Sequence, residues 1–304
     1  MFLEDSLRES VAAAFAGNGT LDLPTLIELG WEELVAQEPV VGVSVLAEEQ
    51  GRRLGTSRLV ELVMGRELGL DPALDALAFP VVETDLHDPV DAVLLADAVA
   101  APNVVVPLRG DADVVLGRFE ADALERRPVG GIDVDARWTR ITGAVASATL
   151  AVGAGAWRSA LAVGSLALAH ELTGVAGRML DLAIEHVCSR VQFGVPIGSF
   201  QAVQHRLADV FVDLEGARAV ARTAWIDRDP AVCTAALAAA HRALESATRH
   251  CHQVLGAMGC TWEHPLHRSM RRGAALQLLL EPDRDLRAIA RTAVVDGRQT
   301  EVLS

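Results

Sequence analysis

The second half of this chain is written almost entirely in helical spacing. Apolar residues recur with a 3.6-residue period over 156–188, 200–226 and 230–258, and again over a shorter pair near 265–280 and 283–296. The interruptions carry stop and start signals: Gly194, Pro196 and Gly198 at the first, Asp227 to Pro230 at the second, Gly256 to Cys260 at the third. Long helices with connections this short pack side by side. Residues 151–304 are therefore predicted to form a C-terminal antiparallel four-helix bundle.

The first half has a different texture. Residues 1–77 read as shorter helices, with "SLRESVAAAFAG", "LPTLIELGWEELVAQE" and "SVLAEEQGRRLGTSRLVELVMGREL" all in helical spacing. Between 78 and 150 the runs become short and β-branched: "DAVLLADAV", "NVVVPLRG", "DADVVLGRF" and "RWTRITGAV", separated by Pro, Gly, Asn and Asp. The predicted class is mainly α, with a helical N-terminal domain, a reduced central β segment of a few strands, and the bundle.

Composition narrows the partners. The chain has 304 residues, 51% of them hydrophobic, enough for a well-buried core. Its formal charge is −14 with no Lys, so broad nucleic-acid binding is excluded, although clustered Arg still suits an anionic ligand. The most apolar region, around 159–176, is broken by His170 and Glu171, reads as too short and amphipathic to span a membrane, and predicts no membrane insertion. An acidic start, "MFLEDSLRES", shows no secretion signal, and a cytoplasmic protein is expected. Cys188, Cys233, Cys251 and Cys260 lack any CxxC spacing and read as small buried residues of a reduced protein.

Several suggestive patterns carry no chemistry. "VGAGAW" has no third Gly and no strand–helix–strand setting, so it is not a dinucleotide fold. His250, Cys251 and His252 are neighbours on a helix and point to different sides, so no metal site is expected.

The stretch "RVQFGVPIGSFQAVQHRLADV" (190–210) resembles a motif of acyl-CoA dehydrogenases: Arg, an aromatic–Gly pair, Pro-Ile, Phe-Gln, then a helix. "QVLGAMGCTWEHPLHRSMRR" (253–272) is similar to that family's Gln-led glycine turn and the acidic–aromatic–Pro segment after it, and "LAEEQGRRLG" to its Glu-Glu-x-Gly-Arg helix. The resemblance implies FAD as cofactor, with the Arg loop reaching across a subunit interface to the nucleotide of the neighbour. It assigns Arg190 to the pyrophosphate, as its planar fork suits, and Phe193 to the adenine–ribose side. Gln192, Phe200 and Gln201 match further flavin-contacting positions. Gln253, Gly256 and Ala257 match the turn against the pyrophosphate, with Ala257 replacing the family's second Gly.

The same resemblance fails where the reaction is made. Dehydrogenation α,β to a thioester needs a carboxylate to take the α-proton. The family carries it at one of two places, which fall here on Gly164, counting back from Arg190, and on Leu280, counting forward. Glu281, one residue along, and Glu171, two turns beyond Gly164, are the remaining candidate catalytic groups; Glu263 matches a structural acid. The family's ring-packing strand has no counterpart. The closest likeness is to the short subunits of heteromeric actinobacterial acyl-CoA dehydrogenases. Their implied partners are an acyl-CoA substrate, including bulky or steroid side-chain acids, a full-length subunit or second copy, and an electron-accepting flavoprotein. Two other readings stay open: a scaffold subunit without FAD, and a self-sufficient homodimeric dehydrogenase.

Overall fold

Asp22 and Asp229 show how local sequence starts helices in this protein. In the computed structural model, Asp22 accepts a hydrogen bond from the Thr25 N–H at 2.9 Å, with Pro24 in the first turn of the helix it opens. Asp229 accepts from the N–H groups of Ala231 and Val232 at 2.8 and 3.1 Å, and Pro230 follows it directly. The structure describes residues 2–280 apart from 17–18, 82–83, 97, 111–113, 147 and 152–153. Glu281 and the helical pattern at 283–296 lie outside the described residues.

The N-terminal helices are α1 (Phe2–Phe15), α2 (Leu23–Glu28), α3 (Trp31–Gln37), α4 (Pro39–Arg53) and α5 (Leu59–Glu67). Two short strands, β1 (Thr20–Leu21) and β2 (Thr56–Ser57), pair in parallel among them. The central segment then contributes β3 (Asp75–Leu77), β4 (Phe79–Pro80), β5 (Val90–Leu94), β6 (Asn103–Arg109), β7 (Val114–Glu120), β8 (Leu124–Pro128), β9 (Thr139–Gly143) and β10 (Ala148–Ala151). They form two four-stranded sheets, ordered β10-β7-β6-β3 and β4-β5-β9-β8. All four β-branched runs of the sequence become strands, and "RWTRITG" supplies an inner one, β9. Burial in β5 alternates, as period-2 patterning requires. A separate apolar core that includes Val90, Leu94, Val106, Phe119 and Ile141 holds these sheets together. The segment builds more than the few strands its length suggested, because antiparallel neighbours need only short turns.

The bundle follows: α6 (Ala154–Ser189), a tiny hairpin of β11 (Val191–Gln192) and β12 (Val195–Pro196), then α7 (Gln201–Ala224), α8 (Pro230–Leu255) and α9 (Leu266–Leu276). Helix α6 is the axis of the molecule and packs against α4, α5, α7, α8 and α9. One apolar core runs through all of them, from Leu46 and Leu59 through Leu172 and Val175 to Leu237 and Leu266. By length and composition α6 could cross a membrane, which corrects the reading that this region is too short. However, 94% of its most apolar window is buried inside the fold, so its hydrophobicity is that of a core helix. His170 and Glu171 are fully enclosed with it.

Two glycines let α4 lie directly on α6. A Cβ on Gly51 would collide with the Glu171 carbonyl oxygen, and one on Gly174 with that of Glu48. This is the physical meaning of the glycine in "EEQGRR". Cys233 and Cys251 are buried, and burial pushes their thiols up to about 12; Cys188, in contrast to the reading of the sequence, is exposed on the last turn of α6.

Short loops reverse the chain between α6 and α7 and again between α7 and α8, so α6 and α8 run the same way. Thr248 of α8 accordingly meets Met179 of α6 at 3.8 Å, and Arg206 near the start of α7 lies 3.4 Å from His250 near the end of α8. The last turns of α6 and α8 and the first turn of α7 therefore share one end of the bundle.

Candidate functional site

That end carries every residue assigned to the nucleotide from the sequence. Helix α6 stops where the Arg190 N–H donates to the His186 carbonyl at 2.9 Å, and the Ile197 N–H donating to the Arg190 carbonyl closes the hairpin. Its two turn residues, Phe193 and Gly194, both have positive φ, +53° and +81°. Such a turn favours Gly or Asn, and a left-handed Phe costs about 1–2 kcal/mol. Yet Phe193 is 93% exposed, so no burial offsets the strain. Its ring meets the edge of Phe200 at 6.1 Å and otherwise faces outward.

Arg190 is exposed, and among the described residues its guanidinium makes no hydrogen bond or ion pair. It still acts at a distance: burial, the Arg190 charge and His264 together push His186 below the ordinary histidine range. Gln192 turns back to the Val191 carbonyl at 2.7 Å. Gln201 stands exposed in the first turn of α7, and Gln253 in the last turn of α8.

Gly256 ends α8 with φ +58° and ψ −137°, a conformation open in practice only to Gly, and its N–H caps the His252 carbonyl. The space beside it is empty of other atoms, so backbone geometry and not crowding demands the glycine. Ala257 follows, exposed, in the 3-10 turn Gly256–Cys260.

The same end holds groups that were not singled out from the sequence. Trp262 is 77% exposed, with the Arg271 guanidinium 5.3 Å from its ring centre and His267 edge-on at 4.7 Å. His264 is pushed down by burial, pulled up by Glu185 and pushed down by His267. The aromatic–His–Pro segment was visible as a motif, but nothing local marks a Trp as exposed.

The candidate bases lie elsewhere. A Cβ on Gly164 would stand 2.6 Å from Met64 Sδ and 3.5 Å from Leu280 Cδ1, so both family positions come to one place, and apolar side chains fill it. Glu171 is sealed at the junction of α4, α6 and α9. Burial pushes its carboxyl up, the Arg272 charge and a hydrogen bond to Gln50 draw it down, and Asp133 pushes it up again. Buried Arg272 donates to Asp133 and to the Gly55 carbonyl. The adjoining cavity of about 10 Å³ holds one water at most and no substrate. Glu263 is an exposed turn residue.

A family model, the C-terminal domain of acyl-CoA dehydrogenases, matches residues 152–279. The acyl-CoA dehydrogenase IpdE2 of Mycobacterium tuberculosis is 31% identical, over 92% of this chain and 93% of its own length. The chain belongs to the acyl-CoA dehydrogenase family. It is thus a member of a family of oxidoreductases acting on acyl-CoA thioesters. Solved relatives agree on the fold. A glutaryl-coenzyme A dehydrogenase bound to glutaryl-CoA superposes with a TM-score of 0.77 at 19% identity, covering 98% of this chain and 95% of that one. The ChsE4–ChsE5 complex of Mycobacterium tuberculosis gives 0.73 at 18%, covering 98% of each chain. At those identities the likeness is one of architecture. Family membership implies FAD, and the bundle end suits it: an exposed guanidinium for phosphates, an outward aromatic, and a glycine turn open to close approach.

Proposed function

We propose that this acyl-CoA dehydrogenase contributes part of an FAD site across a subunit interface, in an assembly that dehydrogenates a bulky acyl-CoA. The observation that carries this reading is the hairpin, where a guanidinium without a partner among the described residues stands beside a strained, outward-facing Phe193. Strain of that kind persists where an outside contact rewards it. Arg190 would hold the pyrophosphate with its planar fork, Phe193 would cover the adenine–ribose side, and Gln192, Phe200, Gln201 and Gln253 would contact the nucleotide. Gly256 and Ala257 bring backbone against the phosphates. FAD, when bound, accepts the hydride from the substrate β-carbon.

The α-proton needs a base that this chain does not offer at Gly164 or Leu280, where Met64 closes the space. A second, full-length subunit therefore provides the carboxylate and the ring-binding strands. Exposed apolar residues along α7, Phe211 and Val212 among them, supply surface for such a partner. The solved ChsE4–ChsE5 neighbour is itself a complex of two differently named chains, which supports a heteromer. A cytoplasmic site of action and an electron-accepting flavoprotein belong to the same proposal.

Co-expression with a full-length acyl-CoA dehydrogenase subunit tests it. The expected product is a stable yellow complex that oxidises acyl-CoA and keeps its activity when Glu281 of this chain is changed to Gln. Activity lost on Glu281→Gln with FAD still bound would assign the base to this chain, and a colourless complex would make it a scaffold.

A further inference from the structure

The close crossing of α4 on α6 places two arginines over one glycine. A Cβ on Gly174 would stand 3.0 Å from the Arg52 backbone nitrogen, so Arg52 starts directly on the surface of α6. One turn along the same face comes Gly177, which has no side chain to stand in the way. Arg52 reaches over it from α4 and Arg218 from α7. A Cβ on Gly177 would lie 3.3 Å from Arg52 Nη1 and 3.2 Å from Arg218 Nη2.

Both guanidiniums are held through their other nitrogens. Arg52 donates through Nη2 to Asp181, and Arg218 through Nη1 to Glu215 at 2.6 Å, with its Nε 3.6 Å from Glu48. Nη1 of Arg52 and Nη2 of Arg218 make no hydrogen bond among the described residues. The two nitrogens left open are thus the two that converge over the glycine. Arg52 and Arg218 line a half-open cavity of about 560 Å³ between α1, α4, α6 and α7, to which Arg8 and Arg222 also contribute. The carboxylates of that lining are taken. Glu48 is held by Arg8 at 2.8 Å, Glu49 by Arg8 and Arg53 at 3.3 and 3.1 Å, and Glu215 by Arg218. Two cationic donors converging on one point repel, and an anionic oxygen between them turns that repulsion into two charge-assisted hydrogen bonds.

We propose that Arg52, Arg218 and Gly177 form an oxyanion site that takes a phosphate group, with one oxygen between the two guanidiniums where a Cβ of residue 177 would stand. Arginine forks suit phosphate, and a tetrahedral group can turn its remaining oxygens toward the cavity walls that Arg8 and Arg222 supply. A flat carboxylate serves the central pair alone. Inorganic phosphate and a phosphate monoester share this chemistry. The site has no residue in common with the family motif at the bundle end, so it stands or falls separately from the FAD site.

The test titrates the full, isotope-labelled chain with inorganic phosphate, glycerol phosphate or acetate at constant ionic strength. Calorimetry gives the affinity, and the guanidinium signals of Arg52 and Arg218, assigned with Arg52→Gln and Arg218→Gln, give the location. Saturable shifts of both signals with a phosphate compound are expected. Either Gln variant should lose about ten- to hundredfold in affinity, the value of one charge-assisted hydrogen bond. Saturation by inorganic phosphate alone assigns the free ion, and by glycerol phosphate a phosphorylated small molecule. Gly177→Ala gives an independent arm. Its methyl group occupies the anion's place, only the far ends of two flexible side chains must yield, and Ala favours the helix. That variant should keep its cooperative unfolding and bind at least tenfold more weakly. The proposal is overturned if neither phosphate compound moves the two signals, or if Gly177→Ala binds undiminished. Acetate binding as tightly as phosphate overturns the phosphate assignment. An equal loss in Arg249→Gln, the same charge change on α8, would reduce the effect to general surface charge and overturn the site.

Discussion

Gly164 and Leu280, which lie 116 positions apart in the chain (280 − 164), face each other within van der Waals reach: a Cβ on the first would stand 3.5 Å from Cδ1 of the second. These are the two places where acyl-CoA dehydrogenases are expected to carry their base, reached here by counting in opposite directions from separate motifs. The two places fall together, and their identities leave the place apolar. Met64 occupies what remains. Gly164→Ala should therefore overpack the site and destabilise the chain by about 1 kcal/mol, at the low end for overpacking because Met64 is flexible. Urea denaturation checks this. Combining it with Met64→Ala should recover less than additive loss, as coupled neighbours do.

The crossing of α4 on α6 is less forgiving, since the atoms facing Gly51 and Gly174 are backbone. Gly51→Ala must push the two helices apart, and a cost of about 3 kcal/mol is expected, the upper end of the overpacking range. Loss of the cooperative urea transition, or a midpoint shifted far more than in Gly164→Ala, is the outcome to look for.

Arg190→Ala should leave folding intact, because the side chain is exposed and holds no partner within the described chain. In the co-expressed complex it should remove a charge-assisted hydrogen bond of roughly 1.5–3 kcal/mol. FAD affinity would fall by about ten- to hundredfold, read by fluorescence titration. Gln253→Ala should weaken FAD less, since its contact is neutral. Unchanged affinity in Arg190→Ala would leave the motif as scaffold only.

Phe193→Gly should separate stability from function. Gly adopts φ +53° freely, which relieves a left-handed penalty of about 1–2 kcal/mol and offsets its own entropy cost of about 0.5–1 kcal/mol. The isolated chain is then equally or slightly more stable, while assembly and FAD retention decline. A variant that is weaker in both respects would show that Phe193 packs at home after all.

Acid should unfold the N-terminal helices from α6 through Glu48. Burial opposes ionisation of this carboxyl, but His170 at 3.7 Å, Arg218 at 3.6 Å and Arg8 at 2.8 Å outweigh it and hold the group at about 2. The His170 ring is oriented by the Trp225 indole N–H, which donates to Nε2 at 3.3 Å. A depressed carboxylate stabilises the fold above its unfolded pKa, and that stability drains away as pH falls from about 4.5 toward 2. The full effect is on the order of 3 kcal/mol. The stability difference between the native chain and Glu48→Gln should be flat above about pH 5 and shrink below it. Taking the difference also cancels Glu61 and Glu171, which burial pushes the other way.

Local chemistry determined much of this protein directly from its sequence. Asp22 and Asp229 start helices because a carboxylate beside a Pro is complete within four residues. The β-branched runs become β5, β6, β7 and β9 because alternation is likewise a short-range property. The family motif was legible because Arg190, Phe193 and Gln201 sit on one continuous stretch. What only tertiary structure decided are matters of distance between remote segments. The sealing of Glu171 depends on Gln50, Asp133 and Arg272, brought from three other parts of the chain. The apolar closure around Gly164 depends on Met64 and Leu280. Burial and the availability of a charge are set by whatever packs alongside, and no spacing along the chain encodes that.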